Sequence, residues 1–217
     1  MLYSFFEMLP QLVILGFSII FHEVAHGRVA LWRGDTTARD HGRLTLNPLP
    51  HIDPVGSILL PLLLILSKSP VLFGWAKPVP INPWRFQRMK KDLAWVAASG
   101  PASNLLLALI FAAFFRASLS VGDSTGTIPK VMAYGVVINL VLAFFNLIPI
   151  PPLDGSRILL RFLPDRFADK FMELERFGFI IIFVLLILGL FDRLIWPFVY
   201  QFLLILIGHQ GLTFLVA

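Results

Sequence analysis

Two long segments of this sequence contain no charged residue. Leu93 to Phe115 and Val131 to Pro149 hold only apolar and small polar side chains. A helix needs about 20 such residues to cross the hydrocarbon core of a bilayer, and a backbone in lipid must satisfy its own hydrogen bonds. The composition points the same way, because 14% of the residues are charged whereas soluble domains carry about 25%. We therefore predict an all-α, polytopic integral membrane protein.

Five apolar segments are candidates for spans in a single membrane domain, residues 1–217. The last two come from one apolar region that is interrupted by Asp192, Arg193 and Pro197. This interruption predicts two short helices in a hairpin. No loop reaches the roughly 50 residues that a separate soluble domain needs. The predicted spans are about 8–32, 93–115, 131–149, 177–191 and 194–208.

The absence of cysteine and the net charge exclude several classes of function. Without cysteine the chain has no disulfide, no thiolate metal ligand and no thiol nucleophile. Its formal net charge is +5, but basic residues of a membrane protein mostly mark cytoplasmic loops. We therefore expect the lipid bilayer, and not nucleic acid, among its partners. A metal site built from histidine and carboxylate remains open to this chain.

The apolar segment from Val55 to Ser67 is too short to cross a bilayer and has Pro61 in its middle. The loops before and after it, and the loop after the third span, carry three, six and five positive residues, whereas the loop between the second and third spans carries two. Positive residues collect on the cytoplasmic side, so we predict a re-entrant proline-rich segment over 44–83, with turns and short extended pieces. The four loops are, in the same order, 33–52, 68–92, 155–176 and 116–130.

His22 and His26 lie four residues apart in the first apolar segment, so a helix places both imidazoles on one face. This spacing can give a metal two nitrogen ligands. Glu23 lies about 100° around the helix from the first histidine, where its carboxylate can take a proton from water without binding the metal. HExxH is the arrangement of zinc hydrolases, and a carboxylate in the bilayer costs about 2.5–3.5 kcal/mol and marks a functional site. The alternative is that the histidines only pack within a helix bundle.

A catalytic zinc needs a third protein ligand and an open position for water. Asp154 follows the third span, where Pro151 and Pro152 end the helix and Gly155 permits a sharp turn back towards the bundle. The alternative is that Asp154 only caps a helix that begins at Ser156. Two further candidates, His51 and Asp53, lie in the turn-rich segment 44–83 and are expected to be structural. The other candidates for the third ligand are His41, His51, Asp53, Asp92 and His209.

Five sequence blocks follow one another in the order of a known family. They are FHEVAHGRVA, LTLNPLPHIDPVGSILLP, FGWAKPVPINP, SGPASN and NLIPIPPLDGSRIL, and they lie within Phe21–Leu160. In these blocks the chain resembles the site-2 protease family of intramembrane zinc metalloproteases. The resemblance implies a three-helix catalytic core and one zinc ion per chain, held by His22, His26 and Asp154. It also implies that Glu23 is the catalytic base.

The same resemblance implies that Gly100, Asn104 and Asn146 lie close to the substrate. A buried amide needs a partner, and one that is aimed at the developing oxyanion would serve catalysis. The alternative is that both amides join helices to one another. Many relatives carry a PDZ or nucleotide-sensing domain, and the loop 116–130 has no room for one, which predicts a compact form.

The sequence thus predicts a zinc endopeptidase that hydrolyses a peptide bond in or near the transmembrane segment of a membrane protein substrate. Such a substrate must unwind locally, and the segment 44–83 can offer backbone groups to it, as in strand addition. Two alternatives are a metal-ion transporter with these side chains as a transit site and an inactive relative that only binds transmembrane helices. We expect a multi-pass protein of a prokaryotic plasma membrane, with the active site towards the cytoplasm.

Overall fold

The computed structural model describes residues 2–67, 75–120 and 126–216, and these residues form helices and connecting loops without a β-strand. The prediction of an all-α protein is confirmed. The helices are α1 (Leu2–Trp32), α2 (Thr37–Asp40), α3 (Leu60–Leu66), α4 (Met89–Ser120), α5 (Thr127–Asn146), α6 (Asp154–Leu160), α7 (Asp165–Glu173), α8 (Gly178–Ile187) and α9 (Leu190–Val216).

Four helices in the described part of the chain are long and apolar enough to cross a membrane. Each contains a window of mean hydropathy of at least 1.4, and a span needs about 20 residues of this kind. Many of their large apolar side chains are exposed, as expected for side chains that face lipid. The candidate spans are Leu9–Trp32, Met89–Ser120, Thr127–Asn146 and Arg193–Leu215.

The C-terminal apolar region differs from the predicted pair of short helices. The helix α8 has ten residues, which is too short for a crossing, whereas α9 continues through Pro197 and is interrupted by a kink at Gly208, which has a φ of 66°. The break lies at Gly189, which has a φ of 64°, because glycine adopts this left-handed conformation at little cost. Proline is tolerated within a membrane helix when neighbouring helices support it. Here α9 packs against α5 through Val199, Leu203 and neighbouring residues.

The core of the bundle is formed by α4, α5 and α9. Small side chains let α4 and α5 approach closely, as is common in membrane proteins. A Cβ added to Gly135 would lie 2.5 Å from the ring of Phe111, so the two helices touch where the glycine leaves room. The buried members of this core are Ala108, Ala112, Phe115, Ala133, Val136, Leu140, Ile195, Val199, Leu203 and Ile207. The helix α1 packs against α4 and α5 on the other side.

The proline-rich segment contains more helix than the sequence predicted. A 3-10 turn at Leu49–His51 is followed by a π-helical turn at Pro54–Leu59 that runs into α3. The side chain of Asp53 caps this turn and so allows it to start. Residues 75–82 have no regular secondary structure and are called the return strip below. Residues 68–74 of the predicted re-entrant segment lie outside the described residues.

The return strip contacts the residues with which the proline-rich segment begins. The backbone N–H of Trp75 donates to the carbonyl of Gly56 (3.1 Å), and that of Lys77 donates to the carbonyl of His51 (2.9 Å). Two backbone hydrogen bonds thus join the beginning of the return strip to residues 51–56, in the first part of the proline-rich segment.

Buried charged side chains hold the strip against the end of α1. Arg43 donates to the carbonyl of Lys77 (2.7 Å), and the fully buried Asp35 accepts from the N–H of Asn82 (2.7 Å). A carboxylate without solvent is stable when it accepts several hydrogen bonds, and Asp35 also accepts from the backbone and hydroxyl of Thr37. The strip is therefore positioned by two backbone hydrogen bonds at its beginning and by buried charged side chains farther along.

Candidate metal centre

The helix α1 places the two histidines of HExxH one turn apart and buries both. The side chains of His22 and His26 are 9% and 8% exposed, and their Nε2 atoms lie 3.0 Å from one another. The rings meet edge to face with centroids 4.5 Å apart. Both imidazoles therefore point to the same spot, as the spacing predicts.

Asp154 reaches this spot from the first residue of α6. Its Oδ2 lies 3.1 Å from Nε2 of His22 and 3.2 Å from Nε2 of His26. The chain turns sharply here, because a Cβ on Gly155 would collide with the backbone carbonyls of Leu147 and Ile148. The carboxylate does not cap α6, and its Oδ2 is buried without a hydrogen-bond partner. The capping alternative is therefore not what the structure shows.

Both histidines turn their Nδ1 atoms away from the cluster. Nδ1 of His26 lies 2.7 Å from the carbonyl of Val96, which can only accept a hydrogen bond. Nδ1 of His22 lies 2.6 Å from Oδ1 of Asn104. Each Nδ1 therefore carries the proton, and each Nε2 offers a lone pair, as in metal-bound histidines.

Asp154 is charged in this environment. Burial raises the pKa of its carboxyl, but positive charge on His26 and His22 outweighs burial, and the net pKa lies well below the usual range. Protons on the imidazoles supply this charge when no cation is bound, and a bound cation replaces them when each Nε2 offers its lone pair. In both cases the carboxylate is ionised at neutral pH and supplies a negative oxygen to the cluster.

The three ligand atoms fit a divalent metal ion. Their separations of 3.0 to 3.2 Å are close to the roughly 3.3 Å that separates ligand atoms around a tetrahedral zinc with bonds of about 2.0–2.1 Å. Two imidazoles and a carboxylate are also a donor set that zinc accepts. Within the described residues, this is the one group of three such side chains that could hold a metal.

A cavity of about 300 Å³ adjoins the cluster. Glu23 lines it, and its Oε2 accepts a hydrogen bond of 2.7 Å from the N–H of Val79 in the return strip. Among the described residues, no group donates to the other carboxylate oxygen. That oxygen is left for a ligand or water in the cavity. The lining residues are His22, Glu23, His26, Pro78, Val79, Ile81, Val96, Ala97, Asn146, Pro152, Asp154 and Arg157.

The other candidate ligands are engaged elsewhere. The imidazole of His51 faces the carbonyl of Thr45, and Asp53 accepts from the backbone at the start of the π-helical turn. Asp92 pairs with Arg33. His41 and His209 are exposed and belong to no group of possible metal ligands among the described residues.

The three residues that the resemblance placed near the substrate have different surroundings. Asn146 lines the cavity and donates to the carbonyl of Leu142 one turn back. Asn104 is fully buried, and its Oδ1 accepts a hydrogen bond from Nδ1 of His22. Gly100 packs against both imidazoles, since an added Cβ would lie 2.5 Å from their rings. Of the three, Asn146 is the one that faces the cavity.

Two groups at the cavity were not identified from the sequence. The N–H of Val79 is a backbone donor and leaves no signal in residue types. Arg157 lines the cavity three residues after Asp154, and this helical spacing placed it on the same face. The sequence therefore contained a signal for the arginine and none for the amide.

Comparisons with known proteins identify the family of this chain. The model of Peptidase family M50 matches residues 120–189. The chain is 38% identical to the "Putative zinc metalloprotease YwhC" of Bacillus subtilis, over 90% of this chain and 89% of that protein. The chain belongs to peptidase family M50. The predicted membership of the site-2 protease family is thereby confirmed, and this M50 chain is a zinc metalloprotease.

Other M50 relatives are more distant. The "Putative zinc metalloprotease Rip2" of Mycolicibacterium smegmatis is 32% identical over 88% of this chain and 72% of that protein. The "Putative zinc metalloprotease MJ0611" of Methanocaldococcus jannaschii is 24% identical over 72% of each chain. No solved structure matches this M50 protein significantly.

We expect Gly100→Ala to weaken zinc binding although it changes no ligand, because the new methyl group must displace the imidazoles of His22 and His26. Changes to residues that contact the metal ligands cost about 10- to 100-fold in metal affinity. The measurement is competition with a chromophoric chelator on purified protein. The matched control is Gly16→Ala on α1, where an added Cβ meets nothing within 4 Å. Equal affinities of the two variants would contradict the role of Gly100.

Proposed function

We propose that this zinc metalloprotease is an intramembrane endopeptidase that hydrolyses a peptide bond in or near the transmembrane segment of a membrane protein. One observation carries the proposal. The cluster of His22, His26 and Asp154 and the carboxylate of Glu23 share one cavity, and the histidines and Glu23 belong to a candidate membrane span. A site at this position acts on a chain that enters the membrane.

His22, His26 and Asp154 hold one zinc ion in this proposal. When bound there, zinc acts as a Lewis acid that polarises the scissile carbonyl and lowers the pKa of water. Glu23 takes a proton from the attacking water as the oxygen bonds to the carbonyl carbon. Glu23 then gives the proton to the leaving amide nitrogen as the C–N bond breaks, which yields a new carboxylic acid and a new amine, and the acid's proton then passes to the amine.

The return strip supplies an edge for the unwound substrate. The carbonyl of Val79 and the N–H and carbonyl of Ile81 have no hydrogen-bond partner among the described residues, and both residues line the cavity. An extended peptide can add to such an edge as a strand. Asn146 faces the same cavity, where its amide can bind a substrate carbonyl. Asn104 and Gly100 act through the histidines and not on the substrate.

The segment 44–83 is re-entrant in this proposal, and the active site faces the cytoplasm. Asp35 contacts Asn82, and Arg85 lies 3.6 Å from Asp40, so the chain before the segment and the chain after it meet on one side. The loops on that side carry most of the positive residues, which marks the cytoplasmic face.

Asp154→Ala should lower zinc occupancy, because it leaves two protein ligands at a site that needs three. His22→Ala and His26→Ala should do the same. The measurement is the zinc content of purified protein by elemental analysis. Asp53→Ala is the control, since Asp53 caps a helical turn outside the cluster. Full zinc content in Asp154→Ala together with loss in Asp53→Ala would show that the third ligand is wrong.

Glu23→Gln should abolish cleavage and leave zinc bound, because the amide keeps the shape of the side chain but cannot accept the proton. The carbonyl oxygen of glutamine can still accept from the N–H of Val79. Turnover is measured on candidate single-span substrates in detergent or vesicles, and zinc is measured on the same sample. Turnover near that of the wild type would refute Glu23 as the base.

Single cysteines in this cysteine-free chain test the orientation. His41→Cys, Trp84→Cys and Thr127→Cys each place a thiol at an exposed position. An impermeant thiol reagent on intact cells should label Thr127→Cys alone, and all three should react after permeabilisation. Labelling of His41→Cys and Trp84→Cys but not Thr127→Cys would invert the orientation. Labelling of only one of these two would show that the segment between them crosses the bilayer.

A further inference from the structure

We propose that Ser18 and Asn139 are positioning residues that hold the amide of Asn104 in the orientation that fixes His22 as a metal ligand. The inference rests on the proposed function, in which His22 binds zinc. All three residues are fully buried, and they belong to three different helices, α1, α4 and α5. Neither Ser18 nor Asn139 is in HExxH or among the predicted site residues.

The three side chains form one connected set of hydrogen bonds. Nδ2 of Asn139 donates to the carbonyl of Gly135 (2.9 Å) and to Oγ of Ser18 (2.9 Å). Nδ2 of Asn104 donates to Oδ1 of Asn139 (3.0 Å) and to the carbonyl of Ser18 (3.4 Å). Oδ1 of Asn104 then faces Nδ1 of His22 at 2.6 Å. Both hydrogens of each amide are used, and each amide oxygen faces a donor.

The direction of every bond follows from one group that cannot change its role. The carbonyl of Gly135 only accepts, so Asn139 must turn its nitrogen towards it and its oxygen towards Asn104. Asn104 must then present its nitrogen to Asn139 and its oxygen to His22. Consequently His22 must carry its proton on Nδ1 and leave Nε2 free for the metal. The order runs from a backbone carbonyl of α5, through α4, to the imidazole on α1.

Burial makes this order strict. A flipped amide would bring oxygen against oxygen and nitrogen against a ring N–H, and unsatisfied polar groups are costly where the side chains are fully buried. The outer partners of a metal-binding histidine fix its tautomer and the direction of its ring. Ser18 lies one turn before His22 on the same helix, so its hydrogen bonds to Asn104 and Asn139 hold both amides close to this histidine.

The decisive variant is Asn139→Leu, which keeps the size of the side chain and removes its hydrogen bonds. We expect zinc affinity to fall about 10- to 100-fold, measured by chelator competition on the purified full chain. The absorption spectrum of the Co²⁺-substituted protein should also change, because it reports ligand geometry. Leu140→Ala is the control: it removes packing from the next residue of α5, which is fully buried, and should lower the melting temperature without changing the Co²⁺ spectrum.

A double variant tests whether Asn139 acts through Asn104. Asn104→Leu should weaken zinc binding, and adding Asn139→Leu should weaken it no further, since the path to His22 is already cut. Additive losses would show that Asn139 acts independently of His22 and would overturn the inference. A wild-type affinity and Co²⁺ spectrum for Asn139→Leu would overturn it as well.

A pair of serine variants decides the matter if Asn139→Leu does not fold. Ser18→Ala should weaken zinc binding, whereas Ser103→Ala, which loses a buried bond to the carbonyl of Gly100 within its own helix, should not. Equal effects of the two would overturn the inference. His22→Ala separates the two hypotheses: if it retains zinc, the proposed site is wrong, and if it alone loses zinc, only the network is wrong.

Discussion

Inside a bilayer, a polar group has no water and must be satisfied by another part of the chain. This constraint fixes both histidines of the M50 site. The carbonyl of Val96 and the amide of Asn104 occupy their Nδ1 atoms, so each Nε2 faces Asp154. Three electron-pair donors 3.0 to 3.2 Å apart repel one another, and a cation removes that repulsion. The metal site therefore follows from complete hydrogen bonding around it.

The same constraint explains how the return strip is held. Pro78 and Pro80 have no N–H, so this part of the chain cannot form a continuous ladder with a neighbouring strand. Two backbone hydrogen bonds hold its beginning. Charged side chains hold the rest, since Arg43 binds the carbonyls of Lys77 and Pro78 and Asp35 binds the N–H of Asn82. Such bonds to charged groups contribute about 1.5–3 kcal/mol each. The strip thus lies beside the cavity with one edge still free.

The sequence predicted the features that depend on spacing and on length. The uncharged segments predicted an all-α membrane protein. The spacing of HExxH, together with the prolines that end the helix before Asp154, predicted the cluster that the structure brings together. It did not predict the helix boundary at Gly189, because charged residues nearby were the stronger signal. It also did not reveal that Asn104 binds His22, since the depth at which α4 crosses α1 depends on how small residues pack. A backbone donor such as the N–H of Val79 has no residue type by which to find it.

Glu23 connects the metal site to the return strip. Its carboxylate accepts the N–H of Val79 through one oxygen, so the position of the strip and the orientation of the proposed base depend on each other. The hydrogen bond keeps one oxygen from rotating into the cavity. Proton transfer is then left to the other oxygen, which faces the cavity and has no donor among the described residues. A substrate that adds to the free edge of the strip, as proposed, would therefore be placed relative to the proposed base by the same backbone segment that holds Glu23.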